Sequence, residues 1–119
     1  MSIAATVIIG FIALLHLYIL WFEMFAWKTR GPKVFRSIPK ELFPQTTVLA
    51  ANQGLYNGFL AAGLIWTFFI EDSTWQVNVA LFFLICVAVA GIYGAATADR
   101  KILFVQTLPA LIGIALISI

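Results

Sequence analysis

Few side chains in this 119-residue sequence have types suited to chemistry: His16, Glu23, Asn52, Gln53, Tyr56, Asn57, Tyr93 and Gln106. Each lies within an otherwise apolar stretch. Glu23 carries the most consequence, because an ionised carboxylate in low dielectric is disfavoured unless a cation, a donor or water compensates. Carboxylates retained in such places usually hold a proton, a cation or a partner charge. His16 is the second titratable group and is suited to acid–base work. A spacing of seven places His16 and Glu23 on one helix face, roughly 10 Å apart along the axis. That is too far for a direct bond, so each needs a partner on another helix or in water. His16 reads either as a proton carrier or as a packing histidine bonded to a neighbouring carboxamide or hydroxyl. Glu23 reads either as a ligand site or as half of a structural pair.

The carboxamides crowd into Leu49 to Gly63, L-A-A-N-Q-G-L-Y-N-G-F-L-A-A-G. At about 100° per residue this helix shows three arcs. Asn52, Gln53, Tyr56 and Asn57 form a polar side. Ala50, Gly54, Gly58, Ala61 and Ala62 form a small-residue side, with Gly54, Gly58 and Ala62 as the expected helix-packing positions. Val48, Leu55, Phe59 and Trp66 form a side for lipid. The polar side supplies either ligand specificity or interhelical bonds, the latter worth about 0.6 kcal/mol each.

The elements that position these residues follow from composition. The chain is 63% hydrophobic and 10% charged, and its mean hydropathy is +1.04. Soluble domains are nearer 45–50% apolar and about 25% charged, so this chain lacks the polar groups to cover a water-facing surface. An all-α, four-pass transmembrane antiparallel helix bundle is expected, as a single integral membrane domain over residues 1–119. Its spans are placed at about 3–27, 46–70, 75–98 and 102–119, each near the ~20 residues that cross the hydrocarbon. The runs are too continuous and too rich in Leu, Ile and Phe for a membrane barrel. The N-terminus lacks a basic stretch and its apolar run is too long for a signal peptide, so it is expected to be retained. Pro109 predicts a kink in the last span. Cys86 is the sole cysteine and reads as a small buried hydrophobe.

The connections set the topology. Lys28 to Gln45 is the long one, with Gly31, Pro32, Pro39 and Pro44 as expected helix breakers. Its Val34, Phe35, Ile38, Leu42 and Phe43 suit either a surface-lying segment or an ordinary linker. All seven basic residues fall in the first and third connections. That places those loops in the cytoplasm and both termini outside. Trp27, Trp66 and Trp75 fit the interfacial aromatic belts.

In that frame the polar groups of all four spans share one slab, a pocket opening toward the cytoplasm. Metal-ligand spacings, phosphate-binding loops and nucleophile elbows are not found in the sequence. No metal or other cofactor is therefore expected. The net charge of +2 gives no reason to expect nucleic acid. The expected partners are the lipid bilayer, further copies of the chain and a small-molecule ligand.

The segments L-L-H-L-Y-I-L-W-F-E-M-F-A-W (14–27), K-V-F (33–35) and the string N-Q-G-L-Y-N-G-F (52–59) resemble a bacterial family of small four-helix membrane proteins. That family is catalogued only as a domain of unknown function. The resemblance implies a four-pass bundle in the bacterial cytoplasmic membrane and implies no activity. His16, Glu23, Trp27, Asn52, Gln53, Gly54, Asn57, Gly58 and Phe59 match its motif. The chain is also similar to the small multidrug exporters in size and in its embedded glutamate. It departs from them in its one-sided loop charge and in the residues around that glutamate. The favoured expectation is a protein that binds or transports a small molecule or a proton, not an enzyme. The alternatives are a small intramembrane enzyme acting on a lipid-like substrate, or an accessory membrane subunit.

Overall fold

Residues 1–119 are described by a computed structural model, all of it helical or connecting. The six α-helices are α1 (Ile3–Phe25), α2 (Trp27–Val34), α3 (Leu42–Gln45), α4 (Thr47–Trp66), α5 (Ser73–Thr97) and α6 (Leu108–Ser118). A 3-10 turn, Thr67–Phe69, extends α4, and a π-helical turn, Leu103–Thr107, leads into α6. The fold is all-α. α1 and α5 are long and apolar enough to cross a membrane, each with a mean hydropathy of 2.5. α4 spans 20 residues, but Asn52, Gln53 and Asn57 keep it out of that group.

The ends of these helices follow local rules. Ser2 Oγ accepts from the Ala5 amide at 3.1 Å, and Asp72 Oδ1 caps α5 by accepting from the Trp75 amide at 3.0 Å. Each satisfies a first-turn donor that has no helical partner. The expected first span ends at Phe25, not Trp27, because Ala26 leaves helical geometry at φ −124°, ψ 16°. The first connection also differs from expectation, since Gly31 and Pro32 lie inside α2 instead of breaking it. Pro32 forgoes the amide bond to Lys28 O, yet the helix runs on past it, and the Phe35 amide still bonds Gly31 O at 2.8 Å.

Two compact units divide the chain, Met1–Leu14 with Leu60–Ile119, and Leu15–Phe59. In the first, Ile9, Ile12, Leu64, Ala80, Leu84, Val87 and Ala110 are fully buried. α5 packs against the π turn and α6. Gly91 permits the approach: a Cβ there would stand 2.7 Å from the Thr107 amide nitrogen and 3.0 Å from Gln106 Cβ. The Thr107 hydroxyl donates to Ala88 O at 2.9 Å, a buried bond. The π turn is the form taken by the kink expected at Pro109. Proline donates no amide hydrogen and its ring crowds the carbonyl four residues back, here Val105 within the turn.

The second unit holds an aromatic cluster. Trp27 lies 5.0 Å from Phe43, 5.8 Å from Phe22 and 6.0 Å from Phe35, centroid to centroid. Trp27 Nε1 donates to Thr46 Oγ1 at 2.9 Å. Phe43, one of the residues suited to a surface-lying segment, is 1% exposed and covers Gly31. Phe35 is half-buried in the same cluster.

Candidate functional site

Glu23 sits in the last turn of α1, and Asn57 faces it from the middle of α4. Asn57 Nδ2 donates to Glu23 Oε1 at 2.7 Å and to Gln53 O at 3.1 Å. Both amide hydrogens of a 7% exposed Asn57 are thereby used. Close helix contact makes the bond geometrically available. A Cβ at Gly54 would lie 2.8 Å from Met24 Cγ and 3.1 Å from Leu20 O, so only glycine lets α4 approach α1 this closely. Gly58 lies under Leu20 Cδ1 one turn on.

Beside Glu23 opens a cleft of about 190 Å³ lined by Glu23, Met24, Phe25, Trp27, Lys28, Thr29 and Thr47. Glu23 is half-buried and Lys28 is exposed. The geometry therefore brings one carboxylate, its carboxamide partner and one ammonium group to a single small opening.

The expected polar arc of α4 splits. Asn52 and Asn57 are five residues apart, hence about 140° around the helix. Asn57 turns inward, whereas Asn52, Gln53 and Tyr56 are exposed. Asn52 Nδ2 bonds Val48 O of its own helix at 2.9 Å. The partner of Glu23 on α4 is thus Asn57. Ala62 is likewise exposed and Ala61 is buried in its place. A seven-residue step from Gly54 returns within about 20° of it, but an eight-residue step overshoots by about 80°.

His16 is fully buried, and no buried side-chain nitrogen or oxygen lacks a hydrogen-bond partner. It does not line the cleft. Tyr93 and Gln106 belong to the other unit, where Tyr93 is 72% exposed and Gln106 is buried within the π turn. That unit has its own groove of about 420 Å³, formed by Trp66, Trp75, Asn78, Val79, Phe82 and Phe83, with no charged group.

A family model described as a protein of unknown function (DUF1304) matches residues 10–118. The chain belongs to this family. An uncharacterized protein, YpaA, of Lactococcus lactis subsp. lactis (strain IL1403) is 32% identical over 108 residues, which is 89% of this chain and 89% of that protein. No solved structure matches. The DUF1304 match takes in Glu23, Asn57 and every residue of the cleft, and its description assigns them no activity.

Among DUF1304 residues of this chain, Lys28, Thr29 and Thr47 were not singled out by sequence reasoning as site residues. Two of them are threonines with no local signal, and Lys28 reads first as a topology charge. The signal that was legible is the polar–small interleaving of α4, in which a carboxamide falls three residues after a glycine. On a helix such a residue flanks the close-contact face, where it meets whatever polar group the neighbour carries.

Proposed function

We propose that this protein is a multi-pass membrane protein whose Glu23–Asn57 site binds a small cationic ligand or a proton. The observation that carries the reading is the 2.7 Å bond from Asn57 to a half-buried carboxylate that also borders an open cleft. Asn57 bonds Oε1, and Glu23 also lines the opening. The membrane part is supported by the two long apolar helices. It is supported too by the large apolar side chains left exposed along α1, α4, α5 and α6, among them Phe25, Val48, Phe59, Phe82 and Leu111.

The test is Glu23→Gln, which keeps the shape and the acceptor for Asn57 while removing the charge. The purified variant should unfold in detergent within a few degrees of wild type. It should also lose the thermal stabilisation that small amines (methylammonium, ethanolamine) give the wild type. A variant that unfolds much earlier yet still responds to those amines makes Glu23 a structural group.

The proposed topology places both termini outside the bacterial cytoplasmic membrane, since all seven basic residues lie in the first and third connections. A periplasm-dependent reporter fused after Ile119 should be active. A cytoplasm-dependent reporter active at the same position contradicts this topology.

A second reading, an assembly of several copies, is favoured by the exposed Asn52, Gln53 and Tyr56 of α4. Carboxamides facing hydrocarbon are costly, and four spans are few for a transport pathway, so this face suits contact with another copy. Gln53→Cys in a Cys86→Ser background should give a disulfide-linked dimer on oxidation in membranes. Exclusively monomeric chain after oxidation would remove that face from any interface.

A further inference from the structure

Glu23 and Lys28 border the same cleft, yet no bond or ion pair joins them. Opposite charges five residues apart in one small opening, left uncombined, are arranged for a ligand that carries both complements. The rest of the lining sorts in the same way. The Thr29 hydroxyl donates to Ala26 O at 3.3 Å and the Thr47 hydroxyl to Pro44 O at 3.4 Å. Both hydroxyls approach a backbone carbonyl at the long end of hydrogen-bond range, and each keeps lone pairs with which to accept. With the carboxylate of Glu23 they give the lining three acceptors, matching in number the three N–H donors of a primary ammonium. Lys28 supplies donors and positive charge at the exposed rim, and an anion is its complement. Met24, Phe25 and Trp27 provide apolar wall for a short hydrocarbon link.

We propose that the cleft binds a small zwitterion, a primary ammonium joined by a short carbon link to a phosphate, with the ammonium on Glu23, Thr29 and Thr47 and the phosphate on Lys28. This rests on the reading of Glu23 as a ligand site and names the ligand class for it. A quaternary ammonium has no N–H to give the three acceptors and should bind more weakly. The same chemistry occurs in free O-phosphoethanolamine and in the headgroup of phosphatidylethanolamine.

The experiment measures thermal unfolding and binding of the full chain in detergent with O-phosphoethanolamine, ethanolamine, phosphocholine and inorganic phosphate. The full chain is also measured in nanodiscs of phosphatidylethanolamine and of phosphatidylcholine. Wild type should bind O-phosphoethanolamine about tenfold more tightly than ethanolamine, corresponding to one good charge contact. It should ignore phosphocholine and inorganic phosphate. Lys28→Met changes an exposed side chain, so it should fold normally and reduce O-phosphoethanolamine binding to the level of ethanolamine. It should leave ethanolamine itself unaffected. Glu23→Gln should lose both. Stabilisation by the free compound but not by phosphatidylethanolamine marks a soluble ligand. The reverse marks the lipid headgroup, and either supports the proposal. If ethanolamine and O-phosphoethanolamine bind equally and Lys28→Met is silent, the zwitterion proposal falls while Glu23 remains a cation site. If none of the compounds and neither lipid shifts the wild type, the proposal is overturned outright.

Discussion

Gly91→Leu is expected to lower the unfolding free energy by about 3 kcal/mol or more, the largest effect of any single substitution considered for this chain. The reason lies in what a side chain would meet. Its Cβ would overlap the Thr107 hydroxyl and stand 2.7 Å from the Thr107 amide nitrogen. A backbone atom cannot swing aside as a side-chain terminus can. Relief requires α5 and the π turn to separate, and separation also breaks the buried Thr107–Ala88 hydrogen bond. Losing that bond adds about 1 kcal/mol. The contrast is Gly10→Ala, where the nearest atom to the new Cβ is Phe68 Cζ at 3.9 Å, an ordinary contact. That change should be neutral or should stabilise α1 by up to about 1 kcal/mol, through helix propensity alone. Denaturant unfolding of both variants in detergent checks the pair. A Gly91→Leu protein as stable as wild type would mean that the π turn does not rest on Gly91.

Asn57→Leu should cost about 2–3 kcal/mol, because it strips a half-buried carboxylate of its donor and sets a larger apolar side chain in the donor's place. The expected signature is non-additivity. With Glu23→Gln in place the charge that needs the donor is gone, so the same Asn57→Leu change should cost at least about 1 kcal/mol less. The four proteins of this double-mutant cycle, unfolded side by side, measure the coupling directly. Additive effects would mean that Glu23 is satisfied from elsewhere and that the 2.7 Å bond contributes little. The cycle also separates the roles assigned above, since Asn57 acts by holding Glu23 and the cleft residues act on a ligand. Asn57→Leu should therefore weaken ethanolamine stabilisation only partly, where Glu23→Gln removes it.

The helices themselves were legible in the sequence. Runs such as Ile3–Phe25 and Ser73–Thr97 are long, apolar and free of internal proline, and such a run has little choice but to close its own backbone bonds as helix. Glu23 was legible as well, since a lone carboxylate among Leu, Phe and Trp is conspicuous by type. Pro109 announced a disturbance of its helix, though not that the disturbance would be a π turn.

In the first connection the local signals and the structure part for a definable reason. Gly31 and Pro32 are strong breakers as local signals, but Gly31 is where the Phe43 ring lies, and the aromatic cluster around Trp27 holds α2 in place. Local propensity was outweighed by packing between residues far apart in sequence.

What the sequence alone determined was the all-α class, the extent of the long helices to within a few residues and the identity of the one conspicuous carboxylate. These depend on composition and on period along a single helix. Only the tertiary structure decided which carboxamide answers Glu23, that His16 lies buried away from the cleft, and that Lys28, Thr29 and Thr47 share an opening with it. The first of these depends on the rotation of α4 about its own axis, set by Gly54 against Leu20 and Met24. A rotation of one residue, about 100°, would exchange Asn57 for a different side chain. Spacing fixes which residues share a face, but the face that turns inward is chosen by the fit of two surfaces, and half of that fit lies on another helix.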